Sequence, residues 1–389
     1  MANNINRAPL LIVTGVAFSL ILAGCATQRT DGPSGDRAAV KAPPRVISPE
    51  VAPDRRVTFR LRAPKVQSVV LTGEFLKGTN NLVKGNDGVW SVTIGPLEPE
   101  IYTYNFTIEG VRTIDPGNPD VKTGSTPGTI GSILEIRGDS PAFYDGQSVP
   151  HGEIHTDWYE SKSLKQLRRV TVYTPPGYER DQSHLPVLYL LHGANADETA
   201  WTRLGHVNLI LDNLLAAQKI KPFIVVMPFG YGVDPNKSDE QKQNTARFSR
   251  DLIEDVIPFV EFHYHTETNR DQRALMGLSM GGGEALSIGL NHLELFSYVG
   301  AFSAGIGGST NFVNTYASLI AHPETANSQL HLLWLGCGKQ DAGHLKELRN
   351  FTDFLTQHKI RFTLRETEGA HTWIVWRRYL NEVSPLLFQ

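Results

Sequence analysis

The chain has 389 residues and carries 37 Lys and Arg residues against 40 Asp and Glu residues, for a formal net charge of −3 at pH 7. This length exceeds that of one ordinary domain, so we expect two. The balanced charge, without a basic stripe, excludes a nucleic-acid-binding role. A hydrophobic content of 40% is that of a globular protein with a packed core.

Residues 1–24 are predicted to form a lipoprotein signal peptide. An apolar run over residues 10–23 follows Arg7 and is too short for an ordinary membrane-spanning helix. It ends in Leu22-Ala23-Gly24-Cys25, which resembles a bacterial lipobox. The resemblance implies an exported lipoprotein, lipidated at Cys25 and anchored in the membrane. Ala26 after the cysteine favours the outer membrane, at its periplasmic or cell-surface face. The alternative is an ordinary signal peptide with an incidental cysteine.

The next two segments differ sharply in composition. Residues 25–45 are rich in Gly, Pro, Ala and charge and are predicted to be a flexible tether. From 46 to 138, short segments alternate between apolar and polar residues, with Gly, Pro and Asn between them, over residues 57–62, 68–72, 89–94 and 101–108. This texture predicts a small β-sandwich. Residues 139–160 are predicted to be a linker.

From residue 161 to 389, apolar strands alternate with helical periodicity. The strand-like runs are residues 185–191, 222–228, 297–303, 330–336 and 361–367, and the helical runs are 208–218, 251–262 and 343–358. This alternation predicts an α/β domain with a mostly parallel sheet covered on both faces.

The most informative motif is Gly277-Leu278-Ser279-Met280-Gly281, which lies between an apolar strand and a helical run. This context is that of the nucleophile elbow of an α/β-hydrolase, and it predicts Ser279 as the nucleophile. The fold class is therefore predicted to be an α/β-hydrolase preceded by a small all-β sandwich.

A serine hydroxyl needs a base and an orienting acid, which in this fold follow the serine on loops after later strands. Asp341 follows the strand-like run that ends at residue 336, and His371 follows the run that ends at 367. We therefore predict Asp341 as the acid and His371 as the base. Asp353 and Glu368 are alternatives for the acid, but their positions favour a solvated helix face and a solvated loop.

The oxyanion hole needs two backbone N–H groups. The residue after the nucleophile, Met280, supplies one, and Ala194 in the loop that follows the run 185–191 is predicted to supply the other. His192 in the same loop is a candidate substrate-binding residue and is interpreted as a structural or supporting residue rather than a base. Trp201 and Trp373 are candidate substrate-cleft residues, with core packing an equal alternative. His263 and His265 lack a third ligand at fixed spacing, so we predict no metal site and no cofactor.

Several segments of the chain resemble carbohydrate esterase family 1, the esterase D group of α/β-hydrolases, which includes feruloyl, acetylxylan and enterochelin esterases. The resemblance is carried by residues 169–178, 191–193, 210–214, 251–258, 277–283 and 369–377. It implies the same nucleophile, acid and base: Ser279, Asp341 and His371.

The N-terminal segment resembles the immunoglobulin-like, carbohydrate-binding-module-like domain attached to glycogen-branching enzymes and some feruloyl esterases. The matching residues are 72–75, 88–90, 102–106 and 114–119. An aromatic platform for sugar stacking is missing at residues 76–80, so a structural module walling one side of the active site is favoured over a glycan-binding one.

Together these features predict a serine carboxylic ester hydrolase that removes feruloyl or acetyl esters from plant cell-wall polysaccharide such as xylan. One alternative is an enterochelin-type siderophore esterase. Another, of a different class, is a non-catalytic glycan-binding surface lipoprotein.

Overall fold

The computed structural model describes residues 44–126, 129–181, 183–306 and 311–389. The predicted signal peptide, Cys25 and nearly all of the predicted tether lie outside the described residues. In the part of the chain that the structure describes, no helix combines the length and apolar character needed to cross a bilayer.

The N-terminal part is an all-β sandwich. Its strands are β1 (Glu50–Val51), β2 (Val57–Arg62), β3 (Val69–Gly73), β4 (Thr79–Asn81), β5 (Val83–Lys84), β6 (Val89–Ile94), β7 (Glu100–Ile108), β8 (Val111–Thr113), β9 (Val121–Lys122) and β10 (Gly131–Ile136). One sheet has the order β1-β2-β6-β5, and the other has the order β4-β3-β7-β10-β9 with β8 paired to β7. The two sheets bury alternate side chains of their strands, such as Val57, Phe59 and Leu61 of β2, against Leu71 and Phe106.

The C-terminal part is built on one sheet with the order β11-β12-β14-β13-β15-β16-β17-β18. Its strands are β11 (Glu153–Ser161), β12 (Gln166–Thr174), β13 (Val187–Leu191), β14 (Ile224–Pro228), β15 (Arg273–Leu278), β16 (Tyr298–Phe302), β17 (Leu332–Gly338) and β18 (Thr363–Thr367). The pairings from β14 through β18 are parallel, whereas β11 and β12 are antiparallel additions at one edge.

Helices cover both faces of this sheet. They are α1 (Ala200–Arg203), α2 (Val207–Ala216), α3 (Asn244–Arg250), α4 (Ile257–His263), α5 (Ser279–Gly289), α6 (Phe312–Thr315), α7 (Ala317–Ala321), α8 (Pro323–Gln329), α9 (Ala342–Gln357) and α10 (Trp373–Val383). A π-helical segment, Asp251–Val256, joins α3 to α4, and three 3₁₀ turns occupy Gln241–Gln243, Arg270–Gln272 and Ser384–Leu386. The central strands are fully buried, and the apolar residues on their two sides form two separate clusters.

This architecture confirms the predicted fold class, an α/β-hydrolase preceded by a small all-β sandwich. One boundary is corrected. Residues 153–160 were predicted to be linker, but they form most of β11, which pairs with β12 over its whole length. Most side chains of β11 are exposed or half-buried because it is an edge strand. Its polar sequence therefore resembles a loop.

The sandwich and the hydrolase domain lie within one compact unit, Val46–Gln389. The guanidinium of Arg377 in α10 is fully buried and donates to the Glu100 carboxylate of β7 at 2.5 Å and to the Ile101 carbonyl at 3.2 Å. Ile101 also packs in an apolar cluster of the hydrolase domain. The two domains therefore share a buried interface.

Candidate active site

The predicted catalytic residues follow three parallel strands of the same sheet. Ser279 follows β15, Asp341 comes after β17, and His371 comes after β18. The carboxyl ends of parallel strands meet at one edge of a sheet, which is where open α/β sheets place their ligands. This topology brings together side chains separated by up to 92 positions in the sequence.

Ser279 lies on a sharp turn between β15 and α5. Its φ is 52°, in the left-handed region that L-residues other than glycine seldom adopt. The turn depends on glycine, because a Cβ at Gly277 would lie 2.4 Å from the Gly281 carbonyl oxygen. A Cβ at Gly281 would lie 2.4 Å from the His192 carbonyl oxygen. The strained turn is therefore held against the loop that follows β13.

A chain of hydrogen bonds joins the three predicted catalytic side chains. His371 Nε2 lies 3.0 Å from Ser279 Oγ, and His371 Nδ1 lies 2.7 Å from Asp341 Oδ2. These distances are those of a nucleophile held by its base and a base held by its acid. Asp341 is only 7% exposed, whereas Ser279 and His371 are partly accessible.

A second histidine, which the sequence analysis missed, binds the same carboxylate. His344 Nδ1 lies 2.8 Å from Asp341 Oδ1, and its ring stacks on His371 with centroids 4.1 Å apart. Its position three residues after Asp341, in the first turn of α9, places it beside the acid. That spacing was a signal in the sequence, although i,i+3 His–Asp pairs are too common to identify a site.

The electrostatics of this cluster keep Asp341 ionised and His371 neutral. Burial acts to raise the pKa of Asp341, but hydrogen bonds from His371 and His344 outweigh it and hold the pKa below its ordinary value. Burial lowers the pKa of His371 below its ordinary value, although the bond to Asp341 opposes this. A neutral His371 is the form that can accept a proton.

The loop after β13 lies against the serine. A Cβ at Gly193 would lie 3.1 Å from Ser279 Cβ. The Ala194 N–H in this loop donates to no backbone acceptor among the described residues. Met280 lies in the first turn of α5, where N–H groups lack acceptors within the helix. Both predicted oxyanion-hole residues therefore lie in segments next to Ser279.

His192 does not line the substrate cavity, which corrects its placement among the substrate-contacting residues. It is 1% exposed, its Nε2 accepts from the Gly230 N–H at 2.9 Å, and its Nδ1 lies 2.8 Å from the Gly193 carbonyl oxygen. Burial lowers its pKa to about 4, so it stays neutral. Its contacts fix the loop that carries Ala194.

The two candidate tryptophans have different positions. Trp373 lines the cavity, whereas Trp201 is fully buried behind it and donates its Nε1–H to the Leu191 carbonyl at 3.0 Å. Their rings meet edge to face at 5.2 Å. The placement of Trp201 in the substrate cleft is therefore wrong, because its indole packs in the core and supports Trp373.

The two alternative acids lie away from the histidine. Asp353 is exposed on α9, and Glu368 is exposed and paired with Lys339 at 2.9 Å. Within the described part of the chain, neither carboxylate makes a hydrogen bond to His371.

A cavity of about 360 Å³ contains Ser279 and His371. From the hydrolase domain it is lined also by Ala194, Arg203, Trp373 and Trp376. The opposite wall comes from the sandwich: Glu74, Thr103, Arg112, Lys122, Thr123 and Thr129. Sequence analysis missed these residues, because no local pattern indicates which strand edges of one domain face a cavity in another.

Two groups among the described residues have a geometry that could hold a metal ion. One is Asp341, His344 and His371, with potential ligand atoms within 4.8 Å of one another, and the other is Glu153, His155 and Glu179. A metal in the first group would occupy nitrogens that already hold the Ser279–Asp341 chain. The absence of a metal or cofactor requirement stays a prediction.

Several known proteins are similar to this chain. The family model described as "Putative esterase" matches residues 161–387. A protein of Xylanibacter ruminicola described as an endo-1,4-beta-xylanase/feruloyl esterase is 33% identical over 350 residues, covering 88% of this chain and 46% of its own length. The chain thus spans about half of that relative.

Solved structures show similar folds. A ferulic acid esterase of Anaeromyces mucronatus, in complex with ferulic acid, is 26% identical, with a TM-score of 0.54 over 65% of this chain and 99% of its own. Enterochelin esterase of Shigella flexneri has a TM-score of 0.64 over 86% of this chain and 92% of its own, at 19% identity. The second likeness concerns the fold alone.

Proposed function

Because the chain belongs to the esterase family whose model spans residues 161–387, we propose that it is a serine carboxylic ester hydrolase with Ser279 as nucleophile, His371 as base and Asp341 as acid. The observation that carries the proposal is the hydrogen-bonded chain from Ser279 through His371 to Asp341 at the wall of a cavity.

The reaction would proceed through an acyl-enzyme. Ser279 Oγ attacks the acyl carbon while its proton passes to His371 Nε2, and the oxyanion that forms accepts hydrogen bonds from the Met280 and Ala194 N–H groups. The alcohol leaves with the proton from His371. Water then attacks the acyl carbon, His371 takes the water's proton and returns it to Ser279, and the acid is released.

Asp341 would hold His371 in the tautomer that presents an unprotonated Nε2 to the serine. It would also stabilise the imidazolium formed in each step. The buried carboxylate suits this role because its pKa lies below the ordinary value and it remains charged throughout.

The substrates are proposed to be feruloyl or acetyl esters on plant cell-wall polysaccharide, with feruloyl esters favoured. Support comes from the Xylanibacter relative and from the ferulic acid esterase structure, whose names describe that chemistry. The cavity between two domains has the size of small-molecule sites, and its aromatic residues Trp373 and Trp376 suit an aromatic acyl group.

The test of the proposed chemistry is hydrolysis of a chromogenic ester by wild type and Ser279→Ala. The variant should lose on the order of 10⁴-fold or more in turnover while keeping its fold, because the triad acts as a unit. A variant that keeps over about a tenth of the turnover would contradict this assignment. Methyl ferulate, acetylated xylan and a siderophore lactone should then be compared, with methyl ferulate expected to give the highest kcat/KM.

We also propose a localisation: the protein is an exported lipoprotein that is anchored in the membrane through Cys25. Two or more acyl chains would make attachment stable, where one chain is marginal. A Cys25→Ser variant should leave the detergent-extractable membrane fraction or accumulate as an uncleaved precursor. A wild-type protein found fully soluble, with a mature N-terminus other than residue 25, would contradict the proposal.

A further inference from the structure

Three cationic side chains line the cavity that holds Ser279. Arg112 and Lys122 come from the sandwich, on β8 and β9, and Arg203 comes from α1 of the hydrolase domain. These residues are far apart in the sequence and lie on two domains, so no local charge pattern in the sequence reveals them.

Among the described residues the three cations form no ion pair, because none of them has a carboxylate oxygen within 4.0 Å. Arg112 donates through Nη2 to the neutral Asn105 side chain at 2.6 Å, which leaves its charge uncompensated. In contrast, Arg60, Arg273 and Arg349 each form an ion pair with a carboxylate, at 2.5–2.7 Å.

One carboxylate, that of Glu74, lines the same cavity, and it accepts a hydrogen bond from the backbone. Glu74 Oε2 accepts from the Thr103 N–H at 2.6 Å. Burial lowers the pKa of Lys122, and the attraction of the Glu74 carboxylate opposes this, although the two form no ion pair among the described residues. Asp197, behind the wall, is occupied by the hydroxyls of Thr123 and Thr199. The described wall of the cavity therefore carries an excess of positive charge.

We propose that Arg112, Lys122 and Arg203 form an anion-binding wall, which binds a carboxylate on the carbohydrate that carries the scissile ester. The substrate class would then be esters of acidic oligosaccharides, with a uronic acid near the esterified sugar. This inference rests on the proposed function and adds a specificity to it.

The chemistry favours this assignment. A concave site with low-dielectric walls focuses the field of its charges and concentrates anions. Guanidinium groups match the geometry of a carboxylate and can bind it through two hydrogen bonds. The aromatic residues Trp373 and Trp376 lie on the hydrolase side of the same cavity and suit the acyl group. The wall formed by Arg112, Lys122 and Arg203 is thus left for the alcohol part of the substrate.

The test compares two feruloylated oligosaccharides that differ in one group: a free uronic acid, or the same uronic acid converted to its neutral amide. Wild type should have a lower KM for the acid, by on the order of tenfold, because a hydrogen bond to a charged group contributes that much. Lys122→Met and Arg112→Met should remove this preference, so that KM for the acid and KM for the amide become equal. Added NaCl should raise KM for the acid alone, because salt screens the attraction.

Two further variants sharpen the comparison. Glu74→Gln should lower KM for the acid, since the amide oxygen can still accept from the Thr103 N–H while the repulsion of an anion is removed. Lys65→Met is the matched control, because Lys65 is an exposed cation of the sandwich that does not line the cavity. The Lys65→Met change should alter KM for neither the acid nor the amide.

The outcomes separate the alternatives. Equal KM for acid and amide in wild type would overturn the anion-binding wall, and so would a preference that survives Lys122→Met and Arg112→Met. A preference seen only with an acyl-side carboxylate, as in 4-nitrophenyl hemisuccinate against 4-nitrophenyl butyrate, would overturn its assignment to the carbohydrate. A preference for a catecholate lactone alone would do the same. Absence of any ester hydrolysis would instead contradict the proposed function.

Discussion

Asp341 is the N-cap residue of α9, but its carboxylate does not cap the helix. It stands at the N-cap of α9, where an aspartate commonly accepts from N–H groups of the first turn, but its side chain makes no such bond. Both of its oxygens accept from histidines instead, Oδ2 from His371 and Oδ1 from His344. The first turn of α9 therefore has no side-chain cap, and the carboxylate is bonded to the two histidines instead.

We predict that Asp341→Asn lowers kcat by on the order of 10⁴-fold with little effect on stability, because an amide cannot both orient His371 and stabilise its charged form. The measurement is steady-state hydrolysis of a chromogenic ester, with the unfolding midpoint as a check on the fold. Asp353→Asn and Glu368→Gln are the controls, and each should lower kcat only slightly. A severe loss in either control with a mild loss at Asp341 would reassign the acid.

Glu284 is a buried carboxyl group on α5, the helix that begins at Ser279. It is 2% exposed, its Oε1 accepts from the Asn244 amide at 2.7 Å, and its Oε2 has no partner in the described residues. Burial raises its pKa well above the ordinary value, against the lowering effect of the Asn244 bond. It is therefore protonated in the folded protein over a pH range where the unfolded chain has already lost the proton.

This shift gives stability a definite pH dependence. Because the folded pKa is above the unfolded value of about 4.3, the contribution of Glu284 is complete below that pH and is lost as pH rises towards the folded pKa. Glu284→Gln should thus be more stable than wild type at pH 7 and equally stable near pH 4, measured by urea unfolding. A difference that is constant from pH 4 to pH 8 would contradict a buried, protonated Glu284.

At the level of single residues, the sequence could predict those whose roles come from local context. Ser279, Asp341 and His371 each follow a strand-like run, so the topology alone brings them together. Trp201 and Trp373 look alike in sequence, yet one is core and the other lines the cavity. Only the packing of α1 and α10 separates them, and no local pattern encodes that packing.

The elbow between β15 and α5 depends on close contact between backbones. A Cβ at Gly281 would lie 2.4 Å from the His192 carbonyl oxygen and 2.7 Å from the Leu191 side chain, both next to the loop that carries Ala194. Neither the carbonyl nor the buried strand residue can move freely. A larger residue would therefore push α5 away from the loop that carries Ala194.

Gly281→Ala is predicted to cost about 1–3 kcal/mol of stability, as overpacked sites do, and to lower kcat by more than it changes KM. Gly343→Ala is the matched control: Gly343 is also in the first turn of a helix, but a Cβ there meets nothing within 4 Å. That change should stabilise by roughly 0.5–1 kcal/mol through helix propensity. Chemical denaturation and ester kinetics measure both, and a Gly281→Ala protein as active and stable as wild type would contradict the contact.

Elements with strong periodicity were predictable, and those defined by their neighbours were not. β2 and β6 span the residues that alternate in the sequence, because each buries one face. The edge strand β11 could not be predicted, because its side chains are mostly exposed or half-buried and show no alternation of apolar and polar residues. The order of β13 and β14 in the sheet is likewise a property of the crossover connections and cannot be derived from either segment alone.

The two domains are tied by the ion pair between Glu100 and Arg377, which is buried in their interface. Glu100 is 5% exposed, and the Arg377 guanidinium also donates to the Leu204 carbonyl at 2.6 Å and lies over the Tyr144 ring. Removing one member of such a pair leaves the other charge buried without its partner. The interface is therefore sensitive to a single substitution.

Glu100→Ala is predicted to destabilise the protein by about 3–5 kcal/mol and to do so for sandwich and hydrolase together, giving one calorimetric transition at lower temperature. Glu135→Ala removes an exposed partner of Arg137 in the same sandwich and should cost less than about 1 kcal/mol. Two resolved transitions in wild type, with only one of them moved by Glu100→Ala, would show that the domains unfold independently.

The loop that follows β9 has a consequence for how this protein could be re-engineered. Its Ser125 N–H donates to the Asn195 carbonyl at 3.3 Å, and the hydroxyls of Thr123 and Thr126 bond to Asp197 and Asn195, which follow the predicted oxyanion-hole donor Ala194. A foreign binding module fused in place of this sandwich would omit those bonds. The chimaera would gain a new attachment to polysaccharide. It would also lose the hydrogen bonds that hold the loop carrying Ala194, so its turnover of the smallest esters would fall.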